Sequence, residues 1–167
     1  NAQFVFRNGN DNVAYGNFFI GAAGFRVKEA NNCYMYNNYL ENSGVGGING
    51  CVEYVAAAGF GQNIHFTHNT VVNSGLIHFE GQTANQWANN IFSYASGNIF
   101  SGTPSGITFL GNMYQGTLGV SIPSGMTNLD PQLALNSEGY YGLSATSPAI
   151  DAAGDISLGL MMPTCGT

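Results

Sequence analysis

Ionisable side chains are rare in this sequence, so their placement carries information. Only 7% of the 167 residues are charged. All three bases, Arg7, Arg26 and Lys28, fall within the first 28 positions, where Asp11 is the single acid. The remainder holds eight acids and no base. Half of the charged residues lie in short alternating segments: FVFRN (4–8), FRVKE (25–29), CVEYV (51–55) and LIHFE (76–80). Alternation along a strand puts Phe4, Phe6, Phe25, Val27, Val52, Tyr54, Ile77 and Phe79 on one face. Arg7, Arg26, Lys28, Glu53, His78 and Glu80 then occupy the other. With neighbouring strands about 4.8 Å apart, these residues form a single ionisable row. Guanidinium groups hold carboxylates through two parallel hydrogen bonds, so a row led by arginines suits an acidic ligand. A cluster of ionisable groups in a charge-poor chain is a candidate functional site. A solvated face with incidental ion pairs, such as Lys28 with Glu29, accounts for the same row.

Positioning such a row requires strands stacked in register, and the sequence repeats in a way that supplies them. The segment GQNIHFTHNTVVNS (61–74) has counterparts at 12–19, 32–40, 85–92 and 106–114. The equivalent asparagines are Asn17, Asn38, Asn69, Asn90 and Asn112, at gaps of 21, 31, 21 and 22 residues. A fixed period of this length marks a solenoid. Corners between coils need left-handed backbone, which Asn tolerates better than other residues with a side chain. Stacked Asn amides also bond to their equivalents one coil away. The longer gap accommodates the Gly-rich SGVGGING (43–50), read as a loop bulging from one coil. Two further segments, NIFSG (98–102) and GVSIP (119–123), complete six expected strands of the long sheet. The expected fold is all-β: a right-handed, single-stranded parallel β-helix of about six coils over 1–127. Residues 128–167, where the repeat stops and Asp130-Pro131 and Ser147-Pro148 mark turns, are expected to cap the last coil.

Composition narrows the functional classes. No basic stripe exists to neutralise several phosphates, which argues against nucleic acid. No run of about 18 apolar residues exists to cross a membrane. His65 and His68 are three apart, so on a strand they point to opposite faces, which disfavours a zinc site. Cys33, Cys51 and Cys165 are an odd number, which precludes a complete disulfide framework. Cys33 and Cys51 read as buried small residues or as a pair. Trp87 and the tyrosines read mainly as packing residues. Scarce charge and abundant Asn, Gly, Ser and Thr suit an extracellular protein, secreted or periplasmic.

The run FRNGNDNVAYGNFFIGAAGFRV, followed by YNNYLENSGVGG, THNTVVNSG, NNIF and LDPQLALNSEGYYGLSATSPAIDAAG, resembles the later two-thirds of a polysaccharide lyase family 6 domain. That family includes alginate lyases and chondroitinase B, both right-handed parallel β-helices. The resemblance implies β-elimination on a uronate-containing polymer. A base removes the proton α to the sugar carboxylate and the 4-linked oxygen leaves, while the developing negative charge is stabilised electrostatically. It also implies calcium, a lysine base and an arginine in an RHG-type motif. Arg7 matches that arginine, with Asn8 where the motif has His. Arg26 in GFRV matches an arginine that contacts substrate carboxylate. The family's base and calcium ligands correspond to coils before Arg7 and map onto no residue here. Lys28, the only lysine, lies 21 residues after Arg7.

The sequence therefore supports an extracellular uronate lyase segment, with Arg7 as its catalytic residue and Arg26, Lys28, Glu53 and His78 as its substrate contacts. It equally admits a non-catalytic solenoid that is structural, filament-forming or carbohydrate-binding. On the first reading this chain alone is expected to show little activity. The partner expected on either is an acidic polysaccharide, together with self-association or a preceding segment at the first coil, whose strand 4–7 has no visible cap.

Overall fold

The computed structural model describes residues 4–21, 24–44, 52–55, 61–80, 83–122 and 124–156. The backbone alone is described at 53–55. Among these residues every regular element is a strand, and the strands stack into a parallel β-helix with three sheets. The first sheet comprises β1 (Phe4–Arg7), β4 (Phe25–Lys28), β7 (Val52–Val55), β10 (Ile77–Glu80) and β13 (Phe100–Thr103). The second comprises β2 (Val13–Tyr15), β5 (Cys33–Tyr36), β8 (Ile64–Thr67), β11 (Asn85–Ala88) and β14 (Ile107–Leu110). The third comprises β3 (Phe18–Ile20), β6 (Tyr39–Glu41), β9 (Thr70–Val72), β12 (Ile91–Asn98), β15 (Asn112–Thr117) and β16 (Met126–Asn128). Five complete turns result, one fewer than the sequence suggested. Of GVSIP, residues 119–122 form no strand, and Pro123 lies outside the described residues. Instead Leu118, Val120 and Ile122 tuck, partly buried, against the end of the core.

Three αL corners per coil let so short a repeat close on itself. Asn8 and Glu29 follow the first sheet, and Asp11, Asn32, Asn63 and Ala84 precede the second. Gly16, Asn37, His68, Asn89 and Gly111 lie between the second and third sheets, and Gly21, Asn42 and Asn73 follow the third; all have positive φ. Asn and Asp dominate because their short polar side chains tolerate this region. The repeating asparagines of the sequence are the residues just after one of these corners, so the two roles assigned to Asn fall on different positions. Asn38, Asn69, Asn90 and Asn112 are buried and form a hydrogen-bonded ladder. Asn17 Nδ2 donates to Asn38 Oδ1, Asn38 to Asn69, Asn69 to Asn90, and Asn90 to Asn112, at 2.8–3.1 Å.

Inside the coil, inward rows from the three sheets meet. Phe25, Val52, Ile77 and Phe100 stack in the first sheet. Met35, Phe66, Trp87 and Phe109 stack in the second, and Leu40, Val71 and Phe92 in the third. Trp87 is fully buried, its ring 4.3 Å from that of Phe66, which places it in the core. At about 25 cal/mol per Å2 of apolar surface, such continuous columns supply the dominant stabilisation. Among the described side chains of the expected inward set, Phe4, at 40% exposure, is the exception, because β1 is the edge strand of its sheet, while the Tyr54 side chain lies outside the described set.

The segment after β16 does not simply cap the last coil. It carries the hairpin β17 (Leu133–Leu135) and β18 (Tyr141–Leu143) back along the side of the solenoid. The Tyr140 ring packs on Phe18 and Tyr39, in the first two coils. Tyr141 N–H donates to Tyr39 Oη, which itself donates to Glu41 at 2.7 Å. Burial, then the Glu41 bond, pushes the Tyr39 hydroxyl pKa up. Asn89 binds both the N–H and the C=O of Gly154 at 2.9 Å. The apolar third sheet attracts this strap, leaving Leu135 and Leu143 exposed. The loop residues 45–50, Cys51, and residues 157–167 including Cys165 lie outside the described residues. Cys33 is buried with a free thiol.

Candidate functional site

The outer face of the first sheet holds the row anticipated from the sequence. Strand register places Val5, Arg26, Glu53, His78 and Ser101 side by side on successive coils. Arg7 pairs with Lys28 in the same way. Phe6, Phe25, Val27, Ile77 and Phe79 point into the core, so strand alternation forces the charged residues between them outward. Arg7 is exposed, while Arg26 and Lys28 are half-buried between strands. All three cations of the sequence therefore share one surface, on two neighbouring strands. The Glu53 backbone lies in the row, and its side chain is outside the described set.

Farther along, the His78 Nδ1 is 2.9 Å from Ser101 Oγ and Nε2 is 3.4 Å from Glu80 Oε1. Ser101 was not singled out from sequence. Its signal was its position in NIFSG, one coil after His78 in the outward row.

The second sheet carries a different outer surface. Tyr15 stacks on Tyr36, with centroids 5.2 Å apart and planes 6° apart, and Tyr34 stacks on His65 at 4.8 Å. His65 is hydrogen-bonded to Asn63 and Gln86, and burial lowers its pKa. His68 lies at the next corner beside Asn89, so the two histidines are engaged separately.

The described residues do not fit a calcium ion. No three His, Cys, Asp or Glu side chains among them converge as a metal site, and the residue beside Arg7 in the register is the cation Lys28. No helix among the described residues is long and apolar enough to cross a membrane.

Fold and surface together define a parallel β-helix whose first sheet displays an arginine-led row. Among solved structures, the chain is similar to the PL6 family alginate lyase AlyGC, solved as an arginine mutant, at a TM-score of 0.70 and 21% identity. The likeness covers 92% of this chain and 26% of the lyase, so the chain spans about a quarter of that protein's length. It bears out the lyase-type β-helix fold. No family model matches the chain, and no curated protein matches it.

Proposed function

We propose that this β-helix is the uronate-binding part of an extracellular polysaccharide lyase acting on an alginate-like polymer by β-elimination. The observation that carries the reading is the gathering of Arg7, Arg26 and Lys28 on adjacent strands of one face, in a chain with no other Lys or Arg. Arg26 grips a uronate carboxylate with its planar fork. Arg7 stabilises the negative charge that develops when the proton α to that carboxylate is removed. Lys28, Glu53 and His78 continue the contacts along the polymer. The base and any calcium are assigned to coils preceding Arg7 in a complete enzyme.

A second reading is a non-catalytic solenoid that binds acidic polysaccharide through the same face of Arg7, Arg26 and Lys28. Titrating a short oligouronate into the chain and its variants tests the shared binding step. Arg26→Ala and Arg26→Lys should each weaken binding about tenfold or more, because lysine keeps the charge and loses the fork. Binding indifferent to Arg7→Ala and Arg26→Ala would overturn both readings. Ultraviolet detection of unsaturated product separates them, since the chain joined to its preceding coils should cleave polymer only on the lyase reading.

A further inference from the structure

On the first sheet, two coils beyond Arg26, Ser101, His78 and Glu80 lie together on the outward face, His78 being also a polymer contact on the uronate reading. Ser101 of β13 is the register partner of His78 of β10, and Glu80 follows His78 on the same outward face. Nε2 of His78 lies 3.4 Å from Glu80 Oε1, and Nδ1 lies 2.9 Å from Ser101 Oγ. In the ring tautomer that carries its proton on Nε2, that proton faces Glu80 Oε1. Nδ1 is then the lone-pair nitrogen and takes the hydroxyl proton of Ser101. A hydroxyl, a base and an orienting carboxylate in that sequence are the parts of an activated nucleophile.

The backbone supplies a second observation. Gly102, immediately after Ser101, has φ 81°, and a Cβ there would overlap the Phe79 carbonyl oxygen. Only glycine fits in this strand, which runs on to Thr103, and Gly102 stays exposed. The N–H of the residue following a nucleophile is a recurrent oxyanion donor. His78 and Glu80 are 38% and 47% exposed at the side chain, so a substrate can reach them.

We propose that Ser101, His78 and Glu80 form an acyl-transfer site that hydrolyses carboxylic esters, its substrate class being O-acyl groups on sugar hydroxyls. Ser101 Oγ attacks the ester carbonyl as its proton passes to His78 Nδ1, and the Gly102 N–H stabilises the resulting oxyanion. Collapse breaks the acyl–oxygen bond, and His78 returns the proton to the departing sugar hydroxyl. Water, deprotonated by His78, then attacks the acyl-serine and releases the acid and free Ser101. The sugar as carrier rests on the uronate reading; the hydrolytic step does not.

The test uses p-nitrophenyl acetate, which needs no polymer, and a fluorophosphonate label located by mass spectrometry. The chain should hydrolyse the ester above the buffer rate and carry the label on Ser101. Ser101→Ala should abolish both, and His78→Ala should lower the rate about a hundredfold. Ser96→Ala, at an exposed serine outside this row, should match the parent. Circular dichroism confirms that each variant retains the β-helix. An unlabelled Ser101, or a rate unchanged in folded Ser101→Ala, would overturn the proposal and leave oligouronate binding by Arg26 unaffected.

Discussion

Asn90 sits at the middle of the buried ladder, and replacing it tests whether that ladder or the apolar columns set the coil stack. Its Oδ1 accepts from the Asn69 backbone N–H at 2.9 Å and from Asn69 Nδ2 at 3.1 Å. Its Nδ2 donates to the Phe66 carbonyl and to Asn112 Oδ1, both at 2.8 Å. Asn90→Ala removes all four bonds at a residue with no exposure. Two neighbours keep a partner: Asn69 Nδ2 still reaches the Met35 carbonyl, and Asn112 Oδ1 still accepts the residue 90 N–H. The Asn69 N–H loses its side-chain acceptor in a site closed to water. One such orphan costs about 1–3 kcal/mol, and the weakened Phe66 carbonyl brings the total to about 3 kcal/mol. In a domain of this size that lowers the melting temperature by about 6–12 °C. Asn17→Ala, at the more exposed end of the ladder, should cost about 1 kcal/mol. Urea unfolding of the two variants gives the comparison directly. Equal midpoint shifts would refute the claim that ladder burial sets the cost.

Two further outcomes follow from the same structure. Asn89 is oriented by Gly154, so its Nδ2 faces His68 Nε2 at 3.3 Å. Burial lowers the His68 pKa below its ordinary value of 6.5. The unfolded chain then takes up that proton first, so stability is full above the ordinary histidine range and falls as pH drops through it. Melting at pH 7.5 and 5.0 should show the loss, and His68→Asn, which tolerates the αL corner, should flatten it; an unchanged slope counts against this account. The second outcome concerns β1–β3, which expose Phe4, Val5, Val13, Tyr15, Phe18 and Ile20, a strand edge of the kind that pairs with other chains. Light scattering over a dilution series should show self-association that Phe4→Lys with Val13→Lys reduces, whereas a monomer at high concentration would rule the contact out.

The repeat was legible because a solenoid writes its geometry locally: each coil contacts its neighbours, so one spacing of Asn and one alternation of apolar residues recur. The outward row was legible for the same reason, since strand alternation assigns Arg26 and His78 a face without tertiary information. Less local features were not. The Asn roles separate only when the φ angles are known, because Asn37 and Asn38 are adjacent and chemically identical. GVSIP alternates well enough to resemble a strand. Gly119, however, sits where a Cβ would crowd Asn98, and the chain turns there to close the end. The strap was misplaced because its apolar residues state that something is covered without stating what. Tyr140 meets Phe18 across more than a hundred positions, a contact no periodicity encodes.

Charge placement connects these levels. A β-helix repeats its side chains at a spacing of about 4.8 Å, so like charges in register repel along the whole stack unless something intervenes. In the first sheet the two cationic strands are followed by Glu53 and then by the His78–Glu80 pair, so the sign changes once as the coils advance. The cations stay clustered where Arg7 lies beside Lys28 and Arg26 shares their face. The ladder and columns beneath have no need of those charges, because their hydrogen bonds and apolar contacts close among themselves. A cluster of like charge that the scaffold does not require is where an acidic ligand would have most to offer, since its carboxylates carry the opposite sign.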